Sequence, residues 1–221
     1  MGALCARPHF VIQLVPMGTK VAAIVLAAGG STRMGRPKQL LPVGGQPMVR
    51  HVTEVVCATG LAQVVTVVGA HAEAVVQALA GLPVDVVVNE AWAEGLSTSV
   101  RAGLGALRPE IQAVLMILAD QPALTPDLLQ ALAARYQTTW APLVVPFYRG
   151  QRGNPLLFDR TLFPELLAVK GDQGGRALIA RHERELERVD VDDPAVIMDV
   201  DTRRDYEQVQ GLKNRGASLP R

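Results

Sequence analysis

The residues with the clearest chemical potential form one glycine-rich basic stretch, Leu26-Ala27-Ala28-Gly29-Gly30-Ser31-Thr32-Arg33-Met34-Gly35-Arg36-Pro37-Lys38, which directly follows a short apolar run. Small residues let the backbone approach a ligand closely, successive N–H groups can wrap phosphate oxygens, and Arg33 and Lys38 supply cations for a polyphosphate. It is not a Walker A loop, because Arg36-Pro37 stands where Lys-Ser/Thr would follow, and it holds no GxGxxG. The plain alternative is a flexible turn with solvated cations.

Carboxylates occur at two further places. Asp120-Gln121-Pro122 ends the apolar run Val114–Ala119. A carboxylate there can bind Mg²⁺ that bridges phosphate oxygens, although an isolated Asp after a strand is more often a cap or turn residue. Asp199-Val200-Asp201-Thr202 precedes the last helical segment. Alternation would point Asp199 and Asp201 to the same side if the stretch is extended, whereas Asp201 or Thr202 could instead only cap the helix.

A fourth stretch, Asn89 to Leu104, opens a helix with hydroxyl residues in its first turn. Such a start either caps itself or binds an anion or a ribose hydroxyl. Gly150-Gln151-Arg152-Gly153-Asn154-Pro155 and Gly171-Asp172-Gln173-Gly174-Gly175-Arg176 read as turns. The Gly-Gly-Arg helix start in the second suits an anionic acceptor, with ordinary surface turns as the alternative. The histidines His9, His51, His71 and His182 have no ligand-like spacing and read as structural or exposed, and Ser31, Ser97 and Ser99 lack the His and acid pattern of an acyl-transfer nucleophile.

The elements that must position these residues alternate. Val21–Leu26, Val64–Val68, Val84–Val88, Val114–Leu118 and Leu143–Val145 read as strands, and Met48–Ala58, Ala72–Ala80, Ser97–Leu107 and Pro126–Tyr136 as helices. Repetition of this kind implies βαβ units and a mostly parallel sheet with helices on both faces, in which ligands bind at the carboxyl ends of the strands. After about residue 146 the pattern changes, and Pro155–Phe158 is expected to form a hairpin or a strand of reversed direction. Helices near Leu162–Ala168 and Gly175–His182, a strand near Leu186–Val191 and a final helix near Arg203–Gln210 complete the chain.

The bulk numbers fit one such domain. The chain has 221 residues, 49% hydrophobic and 19% charged, enough for one substantial core. With 22 basic and 21 acidic residues the net charge is +1, which argues against a broad surface for nucleic acid or anionic membrane and makes any phosphate binding local. Cys5 and Cys57 lack zinc or CxxC spacing, as suits a reducing, cytoplasmic setting. No apolar run approaches the length of a membrane span. Residues 1–18 are expected to be a disordered extension, with Met17 near the natural start, followed by a domain over 19–212 and a tail over 213–221.

The glycine-rich stretch resembles the LAAGxSxRMGxxK signature of the MobA-like nucleotidyltransferases, and its double alanine is similar to the molybdenum cofactor cytidylyltransferase branch. Leu40-Leu41-Pro42 and Gly44-Gln46-Pro47 continue the pattern. The resemblance extends to NxxWxxGxxxSxxxGL at Asn89–Leu104, to DxP at Asp120, to GxRGhP at Gly150–Pro155 with Asn154 in place of histidine, to GDxGxR at Gly171–Arg176, and to DIDTPEDY at Asp199–Tyr206 with Arg203 in place of proline.

The resemblance implies a single Rossmann-like nucleotidyltransferase domain. Its nucleotide site would comprise Leu26, Ala27, Ala28, Gly29, Gly30 and Ser31, the cations Arg33 and Lys38, and Asn89 and Ser97. Asp120 and Asp201 would hold Mg²⁺, with Mn²⁺ as a substitute, and Arg33, Lys38 and Asp120 would carry catalysis. Arg152, Gly153, Asn154, Gly174, Gly175 and Arg176 would bind the acceptor. The implied partners are CTP or another NTP, molybdopterin as phosphorylated acceptor, and a molybdoenzyme apoprotein to receive the dinucleotide. A sugar-1-phosphate nucleotidyltransferase and a non-catalytic cofactor-binding or chaperone module are the alternatives.

Overall fold

The computed structural model describes residues 20–31 and 36–214. The expected extension over 1–18 and most of the tail lie outside the described residues, as does Arg33. The strands and helices, in chain order, are β1 (Val21–Ala27), the short pair β2 (Pro42–Val43) and β3 (Gln46–Pro47), α1 (Met48–Cys57), β4 (Gln63–Val68), α2 (Ala72–Ala78), β5 (Asp85–Val88), α3 (Leu96–Gly105), β6 (Ala113–Leu118), α4 (Pro126–Thr139), β7 (Leu143–Tyr148), β8 (Gln151–Arg152), β9 (Leu156–Asp159), α5 (Phe163–Ala168), α6 (Arg176–Ile179), β10 (Leu186–Asp190) and α7 (Arg203–Asn214).

The main sheet runs β5-β4-β1-β6-β9-β7-β10, with β8 attached to β7. Pairs β1/β4, β1/β6, β4/β5 and β7/β10 are parallel, while β9 runs antiparallel to both β6 and β7. The expected reversal is made at one turn: Arg149 and Gly150, both with positive φ, form the two-residue turn of the β7–β8 hairpin, and β9 continues in the direction of β8 to enter the sheet between β6 and β7. The β2–β3 hairpin, turned by Gly44 and Gly45 at positive φ, was not among the expected elements.

All seven residues of β1 are buried, as a central strand covered on both faces requires. Ala23 and Val25 pack with Val49, Val52 and Val56 of α1, Val75 of α2 and Leu129, Leu132 and Tyr136 of α4. Ile24 and Leu26 face the other way, toward Val100 and Leu104 of α3, Leu166 of α5 and Leu178 of α6. Alternation along β1 thus builds both cores. The close fit of α3 depends on Gly103, where a Cβ would lie 2.7 Å from Ile24 Cγ2.

A smaller cluster of Leu41, Val43, Met48, Val200 and Val209 joins the β2–β3 hairpin to α7, and the Tyr206 hydroxyl donates to the Pro42 carbonyl at 2.6 Å. Because β1, β4, β5, β6, β7 and β10 share one direction, the loops after all of them open on one edge of the sheet. The start of β9 lies on that edge too. β1 has β4 on one side and β6 on the other, so the chain order reverses there and a crevice opens between the loops. Among the described residues no helix is long and apolar enough to cross a membrane.

Candidate functional site

The loop after β1 is held by its own polar residues. Gln39, almost fully buried, donates from Nε2 to the carbonyls of Ala27 and Gly29 and accepts from the Ser31 hydroxyl at 3.0 Å. Ser31 Oγ in turn accepts from the Lys38 amide at 3.0 Å. These bonds tie Ser31, Lys38 and Gln39 together and fix the backbone from which Lys38 projects. The indole of Trp92 lies over Gly30 and Gly69, and a Cβ at Gly69 would sit 2.6 Å from Trp92 Cβ.

The Lys38 ammonium reaches the loop after β6. It donates to Asp120 Oδ2 in a short contact and to Asp201 Oδ1 at 3.2 Å. The side chains of Lys38 and Asp120 are 18% and 16% exposed and that of Asp201 is 44% exposed, so the cluster is sheltered on one side and open on the other. Burial works to lower the Lys38 pKa, but the Asp120 charge and the hydrogen bonds to Asp120 and Asp201 outweigh it, and the net shift is upward.

The chain near residue 200 is attached to β6 through its backbone, since the Val200 amide donates to the Asp120 carbonyl at 2.8 Å. Val200 is fully buried in the cluster under α7, and its two flanking aspartates face the other way, as alternation requires. Asp199 accepts from Gln121 Nε2 at 2.6 Å. Its pKa is raised by burial and by the Asp120 charge, against the pull of the Gln121 hydrogen bond and of the Arg176 charge.

The choice left open for Asp201 and Thr202 is resolved. Thr202 caps α7: its hydroxyl and amide both donate to Asp205 Oδ2 at 2.8 Å, and the Asp205 amide donates back to the hydroxyl at 3.3 Å. This is a reciprocal capping box, and it leaves the Asp201 carboxylate facing Lys38. Those hydrogen bonds hold the Asp205 carboxyl below its usual pKa.

The other expected residues lie as follows. Asn89 is buried, donates to Thr98 Oγ1 and Ser99 Oγ at 2.8 and 3.0 Å, and accepts from the Ala91 amide, so its side chain braces the start of α3. Ser97 is buried; its amide donates to the Gly171 carbonyl at 2.9 Å, and its hydroxyl has no hydrogen-bond partner. The first turn of α3 carries no capping side chain of its own. It is covered by the loop 171–175, whose Asp172 carboxylate accepts from the Leu96 amide at 3.4 Å.

That loop is packed without slack: a Cβ on Gly174 would lie 2.6 Å from Leu96 Cδ2, and one on Gly175 would lie 2.4 Å from Phe158 Cζ. Arg152 is exposed on β8, Gly153 packs on Val196, and Asn154 is buried with its amide on the Val196 carbonyl at 2.8 Å. Arg176 is near enough to act on the charge of Asp199. Of the expected site residues, Lys38, Asp120 and Asp201 meet directly. Asn89 and Ser97 join the loop 171–175 in a second, adjoining group.

Sequence reasoning gave no role to two polar residues of the site: Gln39, which holds the loop after β1, and Gln121, which is fully buried and donates to Asp199. The signal for Gln121 is a polar side chain beside a buried run, and Asp199, read in the sequence as the alternate of Asp201, is the third carboxylate near Lys38. His51 Nε2 lies 3.1 Å from the Pro122 carbonyl and ties α1 to the same loop, a structural role as expected.

Asp120 Oδ2 and Asp201 Oδ1 converge on one cation, and Asp120 Oδ1 is buried with no hydrogen-bond partner. Such a donor set fits a hard divalent cation, which takes one or two carboxylates and completes its shell from substrate phosphates and water. Among the described residues no group of three His, Cys, Asp or Glu side chains is arranged to hold a metal by itself.

A mixed, mostly parallel α/β domain with a glycine-rich loop, a lysine and paired carboxylates at the switch in strand order defines a nucleotidyltransferase-type enzyme domain. The sequence profile of the MobA-like NTP transferase domain matches residues 23–186, and the chain belongs to that family of nucleotidyltransferases. The match ends before Asp199 and Asp201. The chain is 32% identical over 194 residues to nicotine blue oxidoreductase of Paenarthrobacter nicotinovorans, covering 82% of this chain and 92% of that protein. It superposes on the crystal structure of Rv0371c from Mycobacterium tuberculosis with a TM-score of 0.80 at 33% identity, covering 87% of this chain and 98% of the other. A further Rv0371c structure is a complex with manganese, with a TM-score of 0.75 at 31% identity and coverage of 87% and 99%.

Proposed function

We propose that this protein transfers a nucleoside monophosphate from CTP to the terminal phosphate of molybdopterin, with release of pyrophosphate and dependence on Mg²⁺ or Mn²⁺. The observation that carries the reading is the convergence of Lys38, Asp120 and Asp201 at the switch point of the sheet, beside the glycine-rich loop after β1. CTP and molybdopterin follow from the resemblance of the LAAG stretch to the cytidylyltransferase branch, and the loops at Arg152–Asn154 and Gly174–Arg176 resemble the wider family's acceptor-site motifs.

A phosphomonoester acceptor is already anionic near neutral pH. Its oxygen attacks the α-phosphorus, a new P–O bond forms, and the bond from that phosphorus to the bridging oxygen of the β-phosphate breaks, its electron pair leaving with pyrophosphate. No general base is required, which fits a cluster without histidine. The protein supplies alignment and charge: Lys38 and Arg33 bind the triphosphate, Gln39 and Ser31 hold the described ends of the loop after β1, and Arg176 orients the acceptor phosphate. Asp120 and Asp201 would hold the divalent cation, which when bound neutralises the developing charge on the phosphate oxygens.

A second reading has one specific observation behind it. The relative from Paenarthrobacter nicotinovorans is named for oxidoreduction of nicotine blue and matches nearly end to end, so redox turnover of that substrate is the rival. The test is pyrophosphate release by the purified full chain with CTP, GTP, ATP or UTP against molybdopterin and against sugar 1-phosphates, alongside a nicotine blue reduction assay. Release with CTP and molybdopterin supports the proposal. Release only with a sugar phosphate moves the acceptor, and redox turnover without pyrophosphate release replaces the reading.

A further inference from the structure

Two roles assigned above compete in space. Lys38 is to bind the triphosphate, and Asp120 and Asp201 are to bind a divalent cation, yet the ammonium lies directly on both carboxylates. We infer that Lys38 is a built-in occupant of the metal site, so that a divalent cation binds strongly only when a triphosphate draws the ammonium away. The inference rests on the metal reading of Asp120 and Asp201.

The physical reason lies in the charges gathered there. Asp120, Asp199 and Asp201 bring three carboxylates to one side of the crevice, and Asp120 is sheltered from water. Without a cation their mutual repulsion would strain the attachment of the segment 199–201 to β6. Lys38 supplies that cation from within the chain, and the hydrogen bond from its amide to the Ser31 hydroxyl holds its backbone in place. An entering divalent ion must displace it, and the displaced ammonium must find an anion. A bound triphosphate offers one, so metal and nucleotide bind cooperatively through one side chain. Linked sites of this kind typically show coupling of roughly 5- to 150-fold.

The experiment measures Mn²⁺ affinity from the free-ion EPR signal, for the full chain and for Lys38→Met and Lys38→Gln, without nucleotide and with a non-hydrolysable CTP analogue. Without nucleotide, both variants are expected to bind Mn²⁺ about 5-fold or more tightly than the unaltered chain. With the analogue the advantage disappears. Equal or weaker Mn²⁺ binding by the variants without nucleotide overturns the inference.

A measurement on the unaltered chain guards against misfolded variants. Amine-specific labelling of Lys38, followed by peptide mass spectrometry, should quicken when Mn²⁺ alone is added to saturation, and unchanged or slower labelling also overturns the inference. The metal reading is tested separately with Asp120→Asn. If Mn²⁺ binding in the presence of the analogue survives that change, the reading itself fails, whatever the Lys38 variants do.

Discussion

The Val200 amide donates to the Asp120 carbonyl at 2.8 Å, and this one backbone hydrogen bond stitches the end of the domain to the end of its central sheet. It places the segment bearing Asp199 and Asp201 against the loop after β6, within reach of a lysine that comes from the loop after β1. The site is therefore an assembly of three loops, each fixed by hydrogen bonds from its own neighbours.

Asp120→Asn and Lys38→Ala are each expected to lower pyrophosphate release by roughly 100- to 1,000-fold, the effect of losing one preorganised charged group at a reacting phosphate. Circular dichroism should show the fold intact, because neither side chain belongs to a packed core. Near-native turnover in either variant refutes the assigned role.

Asp205→Ala removes the acceptor of the capping box at the start of α7. A loss of about 1 kcal/mol in unfolding free energy is expected. Turnover should also fall, because the same carboxylate accepts from the Asp201 amide at 3.2 Å and so orients the residue opposite Lys38. Urea titration and steady-state kinetics on the same preparation check both parts. Lowered stability with unchanged turnover would show that Asp201 is positioned by β6 alone.

Gly95→Ala tests the contact between the start of α3 and the loop 171–175. Gly95 has φ of 114°, and a Cβ there would lie 2.5 Å from the carbonyl carbon of Gly171, so the change must push the loop away. A destabilisation of roughly 1–3 kcal/mol is expected. Under the proposed function the KM for the acceptor should rise more than that for the nucleotide. An equal rise in both would place the loop in the nucleotide site instead.

Tyr136 gives a pH dependence with a definite sign. Its hydroxyl donates to Asp159 Oδ2, and burial together with that carboxylate raises its pKa well above the usual 10. A group whose pKa is higher in the folded chain contributes stability that is fully present below its unfolded pKa and is lost as pH rises. Stability should therefore fall above about pH 10. In Tyr136→Phe the alkaline fall should be shallower, from a starting value lowered by about 1 kcal/mol. Thermal melts across pH 8 to 11 decide it, and an identical pH slope in both proteins would contradict the assignment.

Much of this protein is legible in its sequence because the informative patterns are local. Apolar runs alternating with helical periods specified the strands and helices, and their direction specified which loops share one edge. The reversal at Pro155–Phe158 could be anticipated from the turn residues before it. The glycine-rich loop, the aspartate after β6 and the aspartate pair near the end could be picked out by type and position alone.

What only the tertiary structure decided is which of those residues meet, and what else each side chain is already doing. Lys38 and Asp201 are 163 positions apart, and no periodicity relates them. Their contact follows from the backbone hydrogen bond at Val200 and from the packing of α7 on the β2–β3 hairpin. The helix start at Leu96, open to two readings in the sequence, is covered by a loop more than 70 residues downstream. Thr202 rather than Asp201 caps α7 because the Asp205 carboxylate can reach both the hydroxyl and the amide of Thr202. Local sequence fixes which atoms can donate, accept or carry charge, but which partner each one finds is settled by long-range packing that brings distant loops to one edge.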